Sequence, residues 1–166
     1  PPVVRLNTNG SVDGSLSDMT NIVISGTVLP DGKRLVVTTH LGALTILRFN
    51  TNGTEDASFS PPSIEGWVNT LCVQDGKIII GGNIWRVNGV QSGCVVRLHE
   101  DGTVDASFRS EVYGNGTGVI CMVMEHSGKI VIGGGFGVPN VVFNNLARLN
   151  SDGSFDMTYA ASGTGG

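Results

Sequence analysis

The chain has 166 residues, of which 14% are charged and 40% hydrophobic, and a formal net charge of -4. That length suits one domain or a few small repeats, and the apolar share supplies a core. The acidic balance excludes the basic stripe of a nucleic-acid binder and a polybasic membrane patch, and no apolar run reaches the roughly 18 residues of a membrane-spanning helix.

The sequence opens on Pro1-Pro2-Val3, without Met or a signal-like segment, as expected of a processed product or a piece of a longer chain. Residues 4–13 then read VRLNTNGSVD, and the pattern returns three times. Residues 47–59 read LRFNTNGTEDASF, residues 96–108 VRLHEDGTVDASF and residues 147–159 ARLNSDGSFDMTY. The anchoring arginines are Arg5, Arg48, Arg97 and Arg148, spaced 43, 49 and 51 residues apart. Tandem repetition at about 50 residues marks a repeat architecture.

A second motif lies between the first ones. It reads VLPDGKRLVV over 28–37, VQDGKIIIGG over 73–82 and MEHSGKIVIGG over 124–134. The chain's lysines are Lys33, Lys77 and Lys129, each directly after the turn glycine. A chain so poor in cations places most of them at fixed repeat positions, which points to a role in registering the structure.

Asp-Gly between β-branched runs is a hairpin signal, because glycine supplies the positive φ of a tight turn. Strands are predicted from Asn21 to Leu29 and Arg34 to Thr39, from Val68 to Gln74 and Ile78 to Ile80, and from Val119 to Glu125 and Ile130 to Ile132. Ile78-Ile79-Ile80 has no polar alternation, so its strand is expected to be buried on both faces. Each Arg-Leu pair carries a further strand that turns at Asn9-Gly10, Asn52-Gly53, Asp101-Gly102 or Asp152-Gly153. No segment shows a sustained helical period, so no helix is expected. The fold class is therefore all-β, as tandem three- to four-stranded antiparallel blades resembling those of a propeller. The whole of 1–166 reads as one repeat domain, with units 5–47, 48–96 and 97–147 and the start of a further unit or tail at 148–166.

These motifs resemble the delta-60 repeat family, whose units look like DGKI-x-x-GG followed by (A/V)RL-x-x-DG-x-x-D-x-x-F. Asp75-Gly76-Lys77-Ile78, Gly81-Gly82, Arg97-Leu98, Asp101-Gly102, Asp105 and Phe108 match it almost fully. The first unit departs with Thr38-Thr39-His40 in place of Gly-Gly, and the third with Ser127 for Asp and Tyr159 for Phe. The resemblance implies a β-propeller-like fold. It further implies an extracellular scaffold or adhesion role, since such repeats occur in large bacterial surface proteins and in bacteriophage structural proteins, tail-associated ones among them. It implies no catalytic activity.

Candidate sites are weighed against structural roles. The repeated arginines could pair with a repeated aspartate of the same or the next unit, and an ion pair is favoured over an anion-binding ring because Arg97 sits in the apolar run Val95–Leu98; Asp56, Asp105 and Asp156 are read as structural repeat residues. Asp31, Asp75, Asp101, Asp105, Asp152 and Asp156 recur in turns and fit turn hydrogen bonding better than calcium, which needs six to eight clustered oxygens. Cys72, Cys94 and Cys121 have no zinc-ligand spacing and read as packed thiols. No metal or cofactor is expected. His40, His99 and His126 occupy non-equivalent positions and assemble no catalytic pattern. Asn9, Asn52 and Asn115 stand in N-x-Ser/Thr sequons, but the first two are the repeat's own Asn-Gly turns, so the match reads as compositional.

The inserts 83–88 and 136–143 differ between units and are expected to form display loops. Trp67, Trp85, Arg86, Phe136 and Phe143 are the candidate binding residues, with packing between blades as the competing role. Three units do not comfortably close a propeller, which usually has four to eight blades. The expected partners are therefore other protein subunits, in a homo-oligomer or a larger assembly, with a host-surface glycan as a possible ligand. The function expected is a non-enzymatic structural or binding module on a virion or cell surface. A tail fibre, tail-spike or capsid decoration comes first, then a secreted adhesin or an extracellular carbohydrate-binding or carbohydrate-processing propeller. For an enzyme, Glu55, Glu65 and Glu111 are the carboxylates clearly outside the repeated turns.

Overall fold

Hairpins at the glycine turns build the molecule, which we describe from a computed structural model covering residues 5–6, 8–13, 22–40, 43–138 and 141–159. A short hairpin pairs β1 (Arg5–Leu6) with β2 (Val12–Asp13), placing Arg5 opposite Asp13. Three antiparallel sheets follow. The first runs β3 (Ile22–Val28), β4 (Arg34–His40), β5 (Ala43–Phe49). The second has β6 (Ile64–Gln74), β7 (Lys77–Val87), β8 (Val90–Gln91) and β9 (Val95–Leu98), the last two both pairing with β7. The third runs β10 (Tyr113–Met124), β11 (Ile130–Val138), β12 (Val141–Leu149). No helix occurs among the described residues, and the sheets are propeller-like blades.

The turns follow their residues. Asp75 and Gly76 both have positive φ, 47° and 79°, so the second hairpin closes in two residues with Gln74 directly opposite Lys77. The first and third turns are one residue longer. There Leu29 N donates to Lys33 O and Glu125 N to Lys129 O, both at 2.8 Å, with Gly32 and Gly128 in the left-handed region.

Two expectations change. The sheets end, rather than begin, with the Arg strand, so the expected cuts before Arg48, Arg97 and Arg148 fall inside β5, β9 and β12. The reason is register: Arg48 pairs with Leu35, Arg97 with Ile79 and Arg148 with Val131, each back onto the strand after its own unit's turn. The inserts are not loops either. Residues 83–87 prolong β7, and 136–138 prolong β11. Glycine does not end β7 at Gly81-Gly82 because the sheet needs it there. A Cβ on Gly82 would lie 1.9 Å from the Trp67 carbonyl oxygen across the ladder, next to a register shift between Val68 and Thr70.

The core lies between the sheets. Ile78, Ile79 and Ile80 are each 0% exposed, as the unbroken apolar run predicts. Strand alternation sends Ile78 and Ile80 toward Leu35, Val37 and Ile46 of the first sheet, and Ile79 toward Val119, Ile130 and Leu149 of the third. The middle blade is thus covered on both faces, each such isoleucine contributing about 1.5–3 kcal/mol by burial. Cys94 is packed as expected and Cys72 half-buried, but Cys121 is exposed, at the register shift between Val119 and Cys121 in β10. All three are free thiols.

Ile80→Ala is expected to cost about 2–5 kcal/mol in urea unfolding, through lost burial and an unfilled cavity. Val123→Ala, at a site 63% exposed, should stay within about 0.5 kcal/mol.

Candidate functional site

Each Arg strand carries its arginine to the aspartate eight residues on. Nε donates to Asp Oδ2 at 2.8 Å in Arg48–Asp56, Arg97–Asp105 and Arg148–Asp156. The lysine after the turn donates to the same oxygen: Lys33 to Asp56 at 3.0 Å, Lys77 to Asp105 at 2.7 Å and Lys129 to Asp156 at 2.8 Å. The other oxygen, Oδ1, accepts from the amide and hydroxyl of Ser58, Ser107 or Thr158. The guanidinium lies over the next aromatic ring, 4.8 Å from the centroid of Phe59, 4.8 Å from Phe108 and 4.6 Å from Tyr159. Arg5 and Asp13 share this spacing, but their side chains lie outside the described residues.

All three carboxylates are buried and none is short of donors. The Ser58 hydroxyl and Lys33 hold the Asp56 carboxyl well below the usual carboxylate range, and Lys129 and Thr158 do the same for Asp156. Burial pushes Asp105 upward, but Lys77, Ser107 and Arg97 outweigh it and leave its carboxyl well below that range too.

The knots also join blades. Arg48 Nη1 donates to the Glu100 carbonyl in the next unit's turn, and Arg97 Nη1 donates to Ser151 O at 2.6 Å. Beside these, Ser60 N donates to Asp101 O at 2.8 Å and Arg109 N to Asp152 O at 3.0 Å. The ring under each arginine sits so close to the following turn that a Cβ on Gly102 would meet Phe59 at 2.9 Å, and one on Gly153 would meet Phe108 at 2.9 Å. The repeated cations therefore act as structure, in the ion pairs favoured from sequence. The turn aspartates Asp101 and Asp152 accept from Thr103 and Ser154 two residues on, the turn chemistry read from sequence.

The candidate ligand surface lies elsewhere, at the junction of the second and third sheets. Trp67, Trp85 and Tyr113 are 55%, 56% and 48% exposed, unusual for large aromatics on strands. Trp67 stands directly opposite Asn83, and Trp85 follows two residues later on the same side of β7. Asn83 holds this region together. Its Oδ1 accepts from Trp85 Nε1 at 3.2 Å, and its Nδ2 donates to Gly116 O of β10 at 2.9 Å. A recess of about 310 Å³ runs past Trp85, Arg86, Gln91, Ser92 and Tyr113. It adjoins one of about 450 Å³ that shares Gln91, Ser92 and Tyr113 and continues to Arg109. Both volumes are within the range of small-ligand sites.

Arg86 and Arg109 are exposed, and neither guanidinium has an ion-pair partner among the described residues. Arg86 lies opposite Glu65 in register without pairing to it. Aromatic faces, an amide, a hydroxyl and two unpaired guanidinium groups can bind a flat, oxygen-rich, anionic molecule.

Of the residues proposed from sequence, the structure brings Trp67, Trp85 and Arg86 to this one region. It removes Phe136, which is 2% exposed and packs in the core with Ile132 and Leu149, taking the competing role of packing between blades. The Phe143 side chain lies outside the described residues. Sequence reasoning missed Tyr113, Gln91 and Arg109. Tyr113 opens the glycine-rich start of β10, where an alternating pattern is absent, and Arg109 follows the repeat motif with no counterpart in other units.

A family model described as a domain of unknown function (DUF5122) beta-propeller matches residues 74–108 and 127–159. Both segments run from a glycine turn to the aromatic under the arginine, so the chain carries β-propeller-like repeats. A crystal structure of a protein of unknown function from Bacteroides caccae aligns with a TM-score of 0.41 and 14% identity, over 90% of this chain and 71% of that one. No curated protein matches the chain.

Asp105→Ala leaves Arg97 and Lys77 facing each other without their anion, and should cost about 3–5 kcal/mol in chemical unfolding. The pH dependence follows from the depressed carboxyls. The unfolded chain takes up protons near the ordinary value of 3.8, before the folded one does. Their stabilisation is therefore complete above about pH 5 and is lost as pH falls below about 4. Urea midpoints measured against pH should be flat in the upper range and drop in the lower, with a shallower drop in Asp105→Asn.

Proposed function

We propose that the protein is a non-enzymatic attachment module, a stiff β scaffold that presents the Trp85–Tyr113 groove to an acidic glycan on a cell surface. The observation that carries this reading is the placement of exposed aromatics beside Arg86 and Arg109. The lysines and repeated arginines of the second and third units are committed to the knots, so an unpaired arginine in each of two adjoining recesses favours a carboxylated or sulfated sugar. Ring faces of Trp and Tyr supply flat contact for the apolar side of a sugar, while Gln91 and Ser92 supply hydrogen bonds.

The setting we propose is the outside of a particle or cell. The delta-60 resemblance supports a bacteriophage virion component, such as a tail fibre, tail-spike or capsid decoration, acting in assembly or host attachment. The same groove would serve a secreted bacterial adhesin. The three repeated aspartates are saturated by structural donors, which supports binding without hydrolysis.

An array of acidic and neutral glycans tests the reading. Acidic glycans should bind and alter tryptophan fluorescence, and no new reducing ends should appear. Trp85→Ala is expected to weaken binding by tenfold or more, about 1.4 kcal/mol. Equal binding by Trp85→Ala, or no acidic glycan bound, would defeat the proposal.

A further inference from the structure

We infer that copies of this protein associate head to tail, the Arg148–Tyr159 face of one receiving the Asn9–Gly10 turn of the next. The joint in question is already made twice inside the chain. Arg48 and Phe59 take the turn at Asp101-Gly102, and Arg97 and Phe108 take the turn at Asp152-Gly153. Each joint has the same three parts: a carbonyl accepting from arginine Nη1, a backbone bond onto the Asp carbonyl of the turn, and a glycine against the ring.

Among the described residues the third face is built and not joined. Arg148, Asp156, Lys129 and Tyr159 form the full knot. Yet Arg148 Nη1 reaches only Glu125 Oε1, at 3.4 Å, and no turn carbonyl takes the place of Glu100 or Ser151 among the described residues. The Arg148 side chain is accordingly 21% exposed, against 4% for Arg48 and 10% for Arg97.

The matching turn is also present and open. Gly10 has φ 83°, beside 94° and 91° for Gly102 and Gly153. Asn9 Oδ1 accepts from Ser11 N at 3.0 Å, as Asp101 and Asp152 accept from Thr103 and Ser154 at 2.9 Å. Nothing lies within 4 Å of a Cβ placed on Gly10, whereas both docked glycines meet a ring there. By repeat register the Thr8 carbonyl corresponds to those of Glu100 and Ser151, three residues after the arginine. Thr8, Asn9 and Gly10 are all exposed. Such an interface is heterologous, so it closes a ring when the rotation allows. This inference rests on the repeat contacts alone and is independent of the glycan groove.

Two variants and their mixture test it by sedimentation over a concentration series. Gly10→Asn adds bulk while tolerating positive φ, and it should be monomeric with wild-type thermal unfolding. Tyr159→Ser should also be monomeric. Mixing the two should restore a one-to-one complex, because the intact face of the first meets the intact turn of the second. A wild-type protein monomeric at every concentration would overturn the inference. So would association of Gly10→Asn as strong as wild type, a reading that needs no Tyr159 variant. A mixture of folded variants that fails to assemble would do the same.

Discussion

One buried carboxylate per blade, shared between an arginine and a lysine, governs the rest of this structure. Taking a charge out of water costs several kcal/mol, and a single surface-type pair does not recover it. Here each aspartate meets two cations and two further donors, so every lone pair is used. The lysine comes from the hairpin turn, the arginine from the last long strand and the hydroxyl from the loop beyond it. The knot therefore ties three parts of a blade into one register, which hydrophobic contacts alone would leave free to slip by a residue pair.

The same arginine carries the structure past its own blade. Once Nε is held by aspartate, Nη1 points at the next unit's turn and the ring beneath it presses on that turn's glycine. Blade spacing is set by polar geometry at this rim and by isoleucine packing in the interior. A rigid joint between the second and third blades is also what holds Trp85 and Tyr113, from different blades, on one groove. The proposed binding surface and the proposed self-association thus draw on one feature at two places.

The units are not equal, and the differences have physical meaning. Where Gln74 and Glu125 add a contact to Arg97 and Arg148, the first unit has Leu29, buried at its turn. By register the first unit has Val37-Thr38 where the second has Gly81-Gly82, and its β4 and β5 pair without a register shift. All three units carry a register shift between their first two strands, but the second and third have a further one, and it is there that exposed aromatics appear.

The repeat, the hairpin turns, the all-β class and the doubly buried Ile78–Ile80 strand were legible in the sequence. These depend on local chemistry: positive φ at glycine, β-branched runs and a fixed spacing from Arg to Asp. Trp67, Trp85 and Arg86 were legible as candidates because they break the repeat. Strand ends, the fate of Phe136 and the membership of Tyr113, Gln91 and Arg109 in the groove were decided only by tertiary structure. A glycine in a strand looks like a stop until the opposing carbonyl 1.9 Å from its absent Cβ is known. A groove between two blades joins residues whose sequence separation carries no signal. Spacing along the chain determined what each unit is. Packing between units decided what is covered, what is left open and what the open places can hold.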